Sequence, residues 1–238
     1  MKLFKWVIWA ILAAAVFSAC SSAKEIEAVG DSEGGYSLVI DTGEEWLHEF
    51  NLFLCFNVNN PPQYAVWMED LDGNYLETIA VTEKIAMEKW VANDGNRRVE
   101  ALPYWVHSRG HVYSDGSMLP SGDNPMPDAV TTASAKTDSS LGFNPEIEGS
   151  VRIVAEFNHS MDYNTDYPED TETGSNVSGQ PSVVYSAVIE LTALSEGPVQ
   201  LNLAGHGSPD GSDGKLYDDC SGLSSALKIV DTVWVENN

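Results

Sequence analysis

Positive charge is scarce. The 238 residues hold 12 Lys+Arg against 36 Asp+Glu, a formal net charge of −24. So few cations cannot assemble the stripe that neutralises a phosphate backbone, so nucleic acid is excluded as a partner. An anionic membrane surface repels such a chain for the same reason. Cysteine is also scarce, with 3 in the chain, which excludes a disulfide scaffold. The familiar catalytic signatures are missing: no G-x-S-x-G elbow, no H-E-x-x-H helix and no G-x-x-x-x-G-K-[ST] loop occurs. A triad assembled from distant positions stays open, but no residue pattern argues for one. What is present is ample core material, 43% hydrophobic and 10% aromatic.

The first twenty residues read as an address. Lys2 and Lys5 form a charged start, and residues 6–17 form an apolar run too short to span a bilayer but suited to an export signal. The run ends in Phe17-Ser18-Ala19-Cys20, which resembles a lipoprotein lipobox with Phe17 where Leu is usual. The resemblance implies a signal peptide over 1–19, lipidation of Cys20 and a cell-envelope location, periplasmic or on the outer surface, anchored to the membrane. An ordinary signal peptide or an uncleaved anchor is the alternative. Residues 20–35 are polar and Gly-containing, as expected of a flexible tether. Residues 36–238 are then one domain. Cys55 and Cys220 are left in a compartment that permits disulfides, where a bridge and two free thiols are both open.

Beyond the tether the pattern is that of strands. Residues 36–40, 46–58, 64–69, 75–81, 151–157, 183–194, 199–203 and 227–235 are rich in β-branched and aromatic residues and are separated by Gly, Pro, Asn and Asp. Asp70-Leu-Asp-Gly-Asn74 between two such runs predicts a hairpin. In 151–157, Val151, Ile153, Ala155 and Phe157 alternate toward one face. These features predict an all-β, antiparallel, immunoglobulin-like sandwich with at most one short helix, over 83–91, where Ile85, Ala86 and Trp90 fall at helical spacing. The stretch 97–144, rich in Gly, Pro, Ser, Asp and Thr, reads as one long functional loop.

Two kinds of metal candidate arise. His107 and His111 are four apart, but Pro103 and Gly110 argue for a loop around them, and hydrogen-bonding roles are the simpler reading. Asp162, Asn164 and Asp166 show the alternating oxygen spacing of a calcium loop, as do Asp70, Asp72 and Asn74. Both series lack the Gly at position six and the Glu at position twelve that an EF-hand needs. The Asp70 series is explained by its turn, whereas calcium at the 162–170 loop stays open.

Within the long loop lies Asp128-Ala-Val-Thr-Thr-Ala-Ser134. It resembles the acceptor motif of proteins that carry FMN covalently, D-[GA]-x-[ST]-G-A-[TS]. In those proteins a periplasmic flavin transferase uses FAD and magnesium to attach FMN through a phosphoester to a Thr or Ser hydroxyl. The match places Asp128, Thr131 and Ala133 at motif positions and Ser134 at the acceptor, with Thr132 in place of the usual Gly. A hydroxyl is a weak nucleophile until a base and a metal activate it, so an acceptor must be reachable by another enzyme. A Ser/Thr-rich surface loop is the alternative.

The wider context is similar to domain-of-unknown-function family 2271, a group of predicted periplasmic bacterial proteins. Tyr64-Ala-Val-Trp-Met-Glu-Asp70, the strand 73–81, Trp90, Trp105 and Asp128-Ala-Val-Thr131 carry that resemblance, over roughly residues 50–165. The longer insertion after Trp105 and the C-terminal third depart from the family. The resemblance implies an extracytoplasmic electron-transfer accessory protein, with FMN on Ser134 and a membrane redox protein as partner. Tyr104, Trp105 and Tyr113 are then expected against the flavin ring, since flat aromatic faces suit it. The rival expectation is a non-catalytic binding module for a protein, a glycan or calcium, without flavin.

Overall fold

Local turn chemistry sets the hairpin at residues 63–82. Asp70 Oδ1 accepts the backbone N–H groups of Asp72 and Asn74 at 2.9 and 2.8 Å, Asn74 Nδ2 donates to Asp70 Oδ2, and Gly73 takes a positive φ of 86°. The turn joins β5 (Gln63–Glu69) to β6 (Tyr75–Thr82). A computed structural model describes residues 27–29, 35–53, 56–88, 97–126, 130–132, 135–169 and 179–238. Before the hairpin come β1 (Glu27–Val29), β2 (Tyr36–Thr42), β3 (His48–Phe53) and β4 (Phe56–Asn60). After it come α1 (Glu83–Ala86), α2 (Pro103–Arg109), β7 (Val130–Thr132), β8 (Ser139–Phe143) and β9 (Ser150–Asn158). The chain ends with β10 (Val183–Glu190), β11 (Val199–Gln200), β12 (Asn202–His206) and β13 (Val230–Asn237).

The fold is all-β and sandwich-like. One sheet has the order β1-β8-β2-β13-β11, a second β12-β10-β9-β5-β6-β7, and β3-β4 form a separate two-stranded ribbon. Most pairings are antiparallel; β1–β8 and β6–β7 are parallel. β2 lies along β13, with Tyr36 opposite Asn237 and Thr42 opposite Val230. The residues between the two sheets are apolar: Leu38, Ile40, Leu141, Val233 and Val235 face Tyr64, Val66, Met68, Ile153, Ala155 and Phe157. Among the described residues no helix is long and apolar enough to cross a membrane.

Several expectations need correction. The single strand over 46–58 is two strands, β3 and β4, paired antiparallel. The helix over 83–91 appears as α1 with Ile85 and Ala86 buried, and Trp90 lies outside the described residues. A second α-helix, α2, stands in the stretch read as a loop. Pro103 and Gly110, which suggested irregular chain, are its punctuation. Pro103 occupies the first turn, where a missing N–H costs nothing, and Gly110 ends the helix in the left-handed region at φ 59°. Trp105 and Val106 form the buried side of the helix between them, with Leu102 buried just before it. The remainder of the stretch includes a 3₁₀ turn at Val99–Ala101, β7 and β8.

The same correction gives the molecule a third layer. Ile85, Ala86, Ala101, Leu102, Trp105, Val106 and Leu119 pack on the outer face of the six-stranded sheet, against Ala65, Trp67, Val81, Val154 and Val184. β5 is consequently buried along its whole length, as central strands covered on both faces are.

Candidate functional site

The acceptor-like stretch falls at a sheet edge. β7 pairs parallel with β6, with Val130, Thr131 and Thr132 opposite Ala80, Val81 and Thr82, and ends the six-stranded order. Thr131 is exposed. Asp128, Ala133 and Ser134 lie outside the described residues, as do Cys20 and Cys55. The chain is fixed again directly afterwards: Trp46 Nε1 donates to the Ala135 carbonyl at 2.9 Å, and Asp138 Oδ1 accepts from the backbone and hydroxyl of Thr42.

The aromatic residues expected around a flavin divide. Trp105 does not fit that role: it is fully buried, and its indole N–H is committed to Thr78 Oγ1 at 2.9 Å. It belongs to the inward stripe of α2, so its faces serve packing. Tyr104 is half-buried with its ring 5.6 Å from that of Trp67. Tyr113 is half-buried, and its hydroxyl accepts from Arg109 Nη2 at 3.0 Å. Tyr104 sits over β5 and β9, two to three strand spacings from β7, or roughly 10–14 Å at the usual inter-strand distance.

What lies under Tyr104 is a group of buried charges that the alternation of β9 concealed. Glu156 lies on the face opposite Val151, Ile153, Ala155 and Phe157, and it is completely buried. Helix α2 has no side-chain cap of its own, and Glu156 supplies one from the sheet. Its Oε1 accepts the Tyr104 amide at 3.1 Å and the Ser182 hydroxyl at 2.5 Å, and its Oε2 accepts the Trp105 amide at 2.7 Å. Burial pushes its carboxyl up to about 7, against the pull of these three donors. Gly207 closes the other side, where an added Cβ would meet Ser182 Oγ at 2.5 Å and Glu156 Oε1 at 3.0 Å. Arg98 is also buried; its Nε donates to Glu100 Oε1 and its Nη1 to Ser160 Oγ.

Two residues along β5 from Trp67, Glu69 is also buried. Its Oε1 accepts the Trp67 indole N–H at 3.0 Å, while Oε2, without a hydrogen-bond donor among the described residues, lies 3.5 Å from Arg152 Nη1. Burial raises the pKa of Glu69, opposed by Trp67 and Arg152. Arg152 borders a cavity of about 200 Å³. Its floor is Val154, Val184 and Ala204, its walls are Tyr104 and Leu216, and Ser186 adds a hydroxyl.

Of the metal candidates, His107, Asp162 and Asn164 are hydrogen-bonded within the protein, and Asp170 lies outside the described residues. His107 Nε2 donates to the Gly211 carbonyl at 3.1 Å, and the His111 ring stands edge-on to Tyr113. Asp162 is buried and accepts from Ser225 Oγ at 2.5 Å. Asn164 Oδ1 accepts the amides of Asp166 and Tyr167, and its Nδ2 donates to Gly222 and Ser224. The alternating spacing here makes a turn and ties it to the C-terminal segment. Among the described residues no group of three or more His, Cys, Asp or Glu could hold a metal ion. Cys220 is half-buried, and burial together with Asp219 and Asp218 raises its thiol pKa. No family model, curated protein or solved structure matches the chain.

Proposed function

We propose that the protein is a lipid-anchored carrier of the cell envelope that holds FMN on Ser134 and exchanges electrons with a membrane redox protein. The observation that carries this reading is the setting of the motif: Thr131 is exposed on an edge strand, three residues before the acceptor. A modifying enzyme must reach the hydroxyl, and a sheet edge exposes backbone and side chains together. In the modification a bond forms between Ser134 Oγ and the FMN phosphorus of FAD. The pyrophosphate bond breaks, AMP leaves, and the hydroxyl proton is lost. Thr131 fits the flavin reading; Trp105, sealed in the outer core, contributes only to the scaffold. The order of the motif residues over 128–134 supports the electron-transfer role, with Cys20 as the lipid anchor.

The test is the intact mass of the exported protein, co-produced with an active flavin transferase. The expected result is a gain of one FMN less one water, absent from Ser134→Ala. An unmodified mass, with the same transferase active on a control substrate, sinks the reading. A binding module without flavin is the second reading, favoured by the cavity beside Tyr104 and Arg152.

A further inference from the structure

On the outer face of β9 and β10, polar groups with unused bonding capacity border one cavity. Directly paired residues of neighbouring strands share a face, so the register places Glu69, Arg152 and Val188 in one row and Trp67, Val154 and Ser186 in the next. Arg152 carries five N–H donors. Its charged contact among the described residues is Glu69 Oε2 at 3.5 Å, which is not a hydrogen bond. Glu69 Oε2 is itself buried without a hydrogen-bond donor among the described residues. This is uncommon for a buried carboxylate oxygen and leaves the pair open to a third participant. Ser186, one diagonal step from Arg152, has a hydroxyl without a hydrogen-bond partner among the described residues.

We propose that this cavity binds a small organic monocarboxylate with an apolar body of single-ring size. The planar guanidinium of Arg152 matches a carboxylate, and Ser186 adds a donor beside it. Val154, Val184, Ala204 and Leu216, with the Tyr104 ring, cover the body. The size follows from volume: a dry cavity of about 150 Å³ accepts benzene, and this one measures about 200 Å³. Single charge follows from electrostatics, because a protein of net charge −24 repels a dianion more strongly than a monoanion. Burial favours the neutral form of Glu69, which lowers the repulsion a bound carboxylate meets. Val188, 54% exposed on the same face, extends the apolar rim into solvent. The site is independent of Ser134, on the opposite half of the sheet from β7.

The experiment is an NMR titration of the purified protein with benzoate, and with benzyl alcohol as the uncharged control. Benzoate is expected to shift the amides of Tyr104, Val154 and Val184 saturably, with a Kd of about 1 mM or tighter. Arg152→Gln is expected to weaken benzoate at least about tenfold and to leave benzyl alcohol unchanged. Ala204→Phe fills the cavity from β12 and abolishes both. Arg152→Lys keeps the charge, so it serves as the test if the glutamine variant loses its dispersed spectrum, and it is expected to retain part of the affinity. Absence of saturation up to about 20 mM benzoate overturns the site. Equal benzoate affinity in wild type and a folded Arg152→Gln overturns the carboxylate assignment.

Discussion

The six-stranded sheet is covered on both faces, and its two coverings are built differently. Its inner face presents Tyr64, Val66, Met68, Ile153, Ala155 and Phe157 to the other sheet, with apolar side chains on both sides of the contact. Its outer face presents Trp67, Val154 and Val184, but Glu69, Arg152 and Glu156 stand among them. Apolar burial is non-directional and follows area, so the inner contact asks only for shape and volume. The outer contact also has to satisfy charges, and it does so with specific donors: two amides of α2, the Ser182 hydroxyl and the Trp67 indole. The inner face therefore specifies a fold, whereas the outer face specifies where one short helix sits and which polar groups remain for other partners.

The largest effect expected from breaking this contrast is at Trp105. Truncation to alanine removes the largest side chain of α2 from the outer core and takes the indole N–H away from Thr78 Oγ1. A loss of about 3–5 kcal/mol follows from the usual cost of such a cavity. Hydrogen exchange should accelerate first over 97–109, while β2 and β13 keep their protection. Equal acceleration in both sheets would show that the two coverings unfold as one unit and that the contrast is only compositional.

Acid response is the second discriminator. Glu156 has a folded pKa raised to about 7 from an ordinary 4.5. Folding therefore favours its protonated form, and this contribution is complete below about pH 4.5 and lost as pH rises through 7. A shift of that size corresponds to about 3 kcal/mol. His159 acts in the opposite sense. Burial and the neighbouring His48 lower it to about 3, so its contribution is present above pH 6.5 and lost as pH falls toward 3. Between about pH 6.5 and 4.5 the two oppose each other. Glu156→Gln removes the first alone, so its urea midpoint should fall more steeply than that of wild type between pH 7.5 and about 5. Parallel profiles for the two proteins would contradict the raised carboxyl.

How much of this was legible depends on the range over which each signal acts. The Asp70–Asn74 turn was readable because Asp70 bonds the amides two and four residues on, all within one short stretch. The inner alternation of β9 was readable for a similar reason, since strand geometry forces a period of two. Period two says nothing, however, about whether the second face meets solvent, so the burial of Glu156 carries no local signal. Its partners stand 26, 51 and 52 residues away in the chain, and no local pattern links them. Pro103 and Gly110 show a different difficulty: the same residues punctuate loops and helices, and only the buried stripe between them decides. Of the acceptor-like motif, the pattern at 128–134 was legible, but the edge position of Thr131 was not. A three-residue parallel strand such as β7 is too short to carry a periodic signal.

The smallest effect offers the sharpest comparison, because it pairs two buried substitutions of similar modesty. Met68 is fully buried on the inner face among apolar neighbours, so Met68→Leu keeps volume and loses no hydrogen bond. It should cost under about 1.5 kcal/mol, with no change in the pH profile. Ser182→Ala removes a single oxygen, yet that oxygen donates to Glu156 Oε1 at 2.5 Å in a fully buried setting. The energetic cost should be similar, about 1–2 kcal/mol. The difference should appear in titration. The Ser182 hydroxyl favours the charged form of Glu156, so its removal moves the stability transition of that carboxyl to higher pH, while Met68→Leu leaves it in place. If both substitutions shift the transition, or neither does, the hydrogen bonds of the outer face do not set its response to acid.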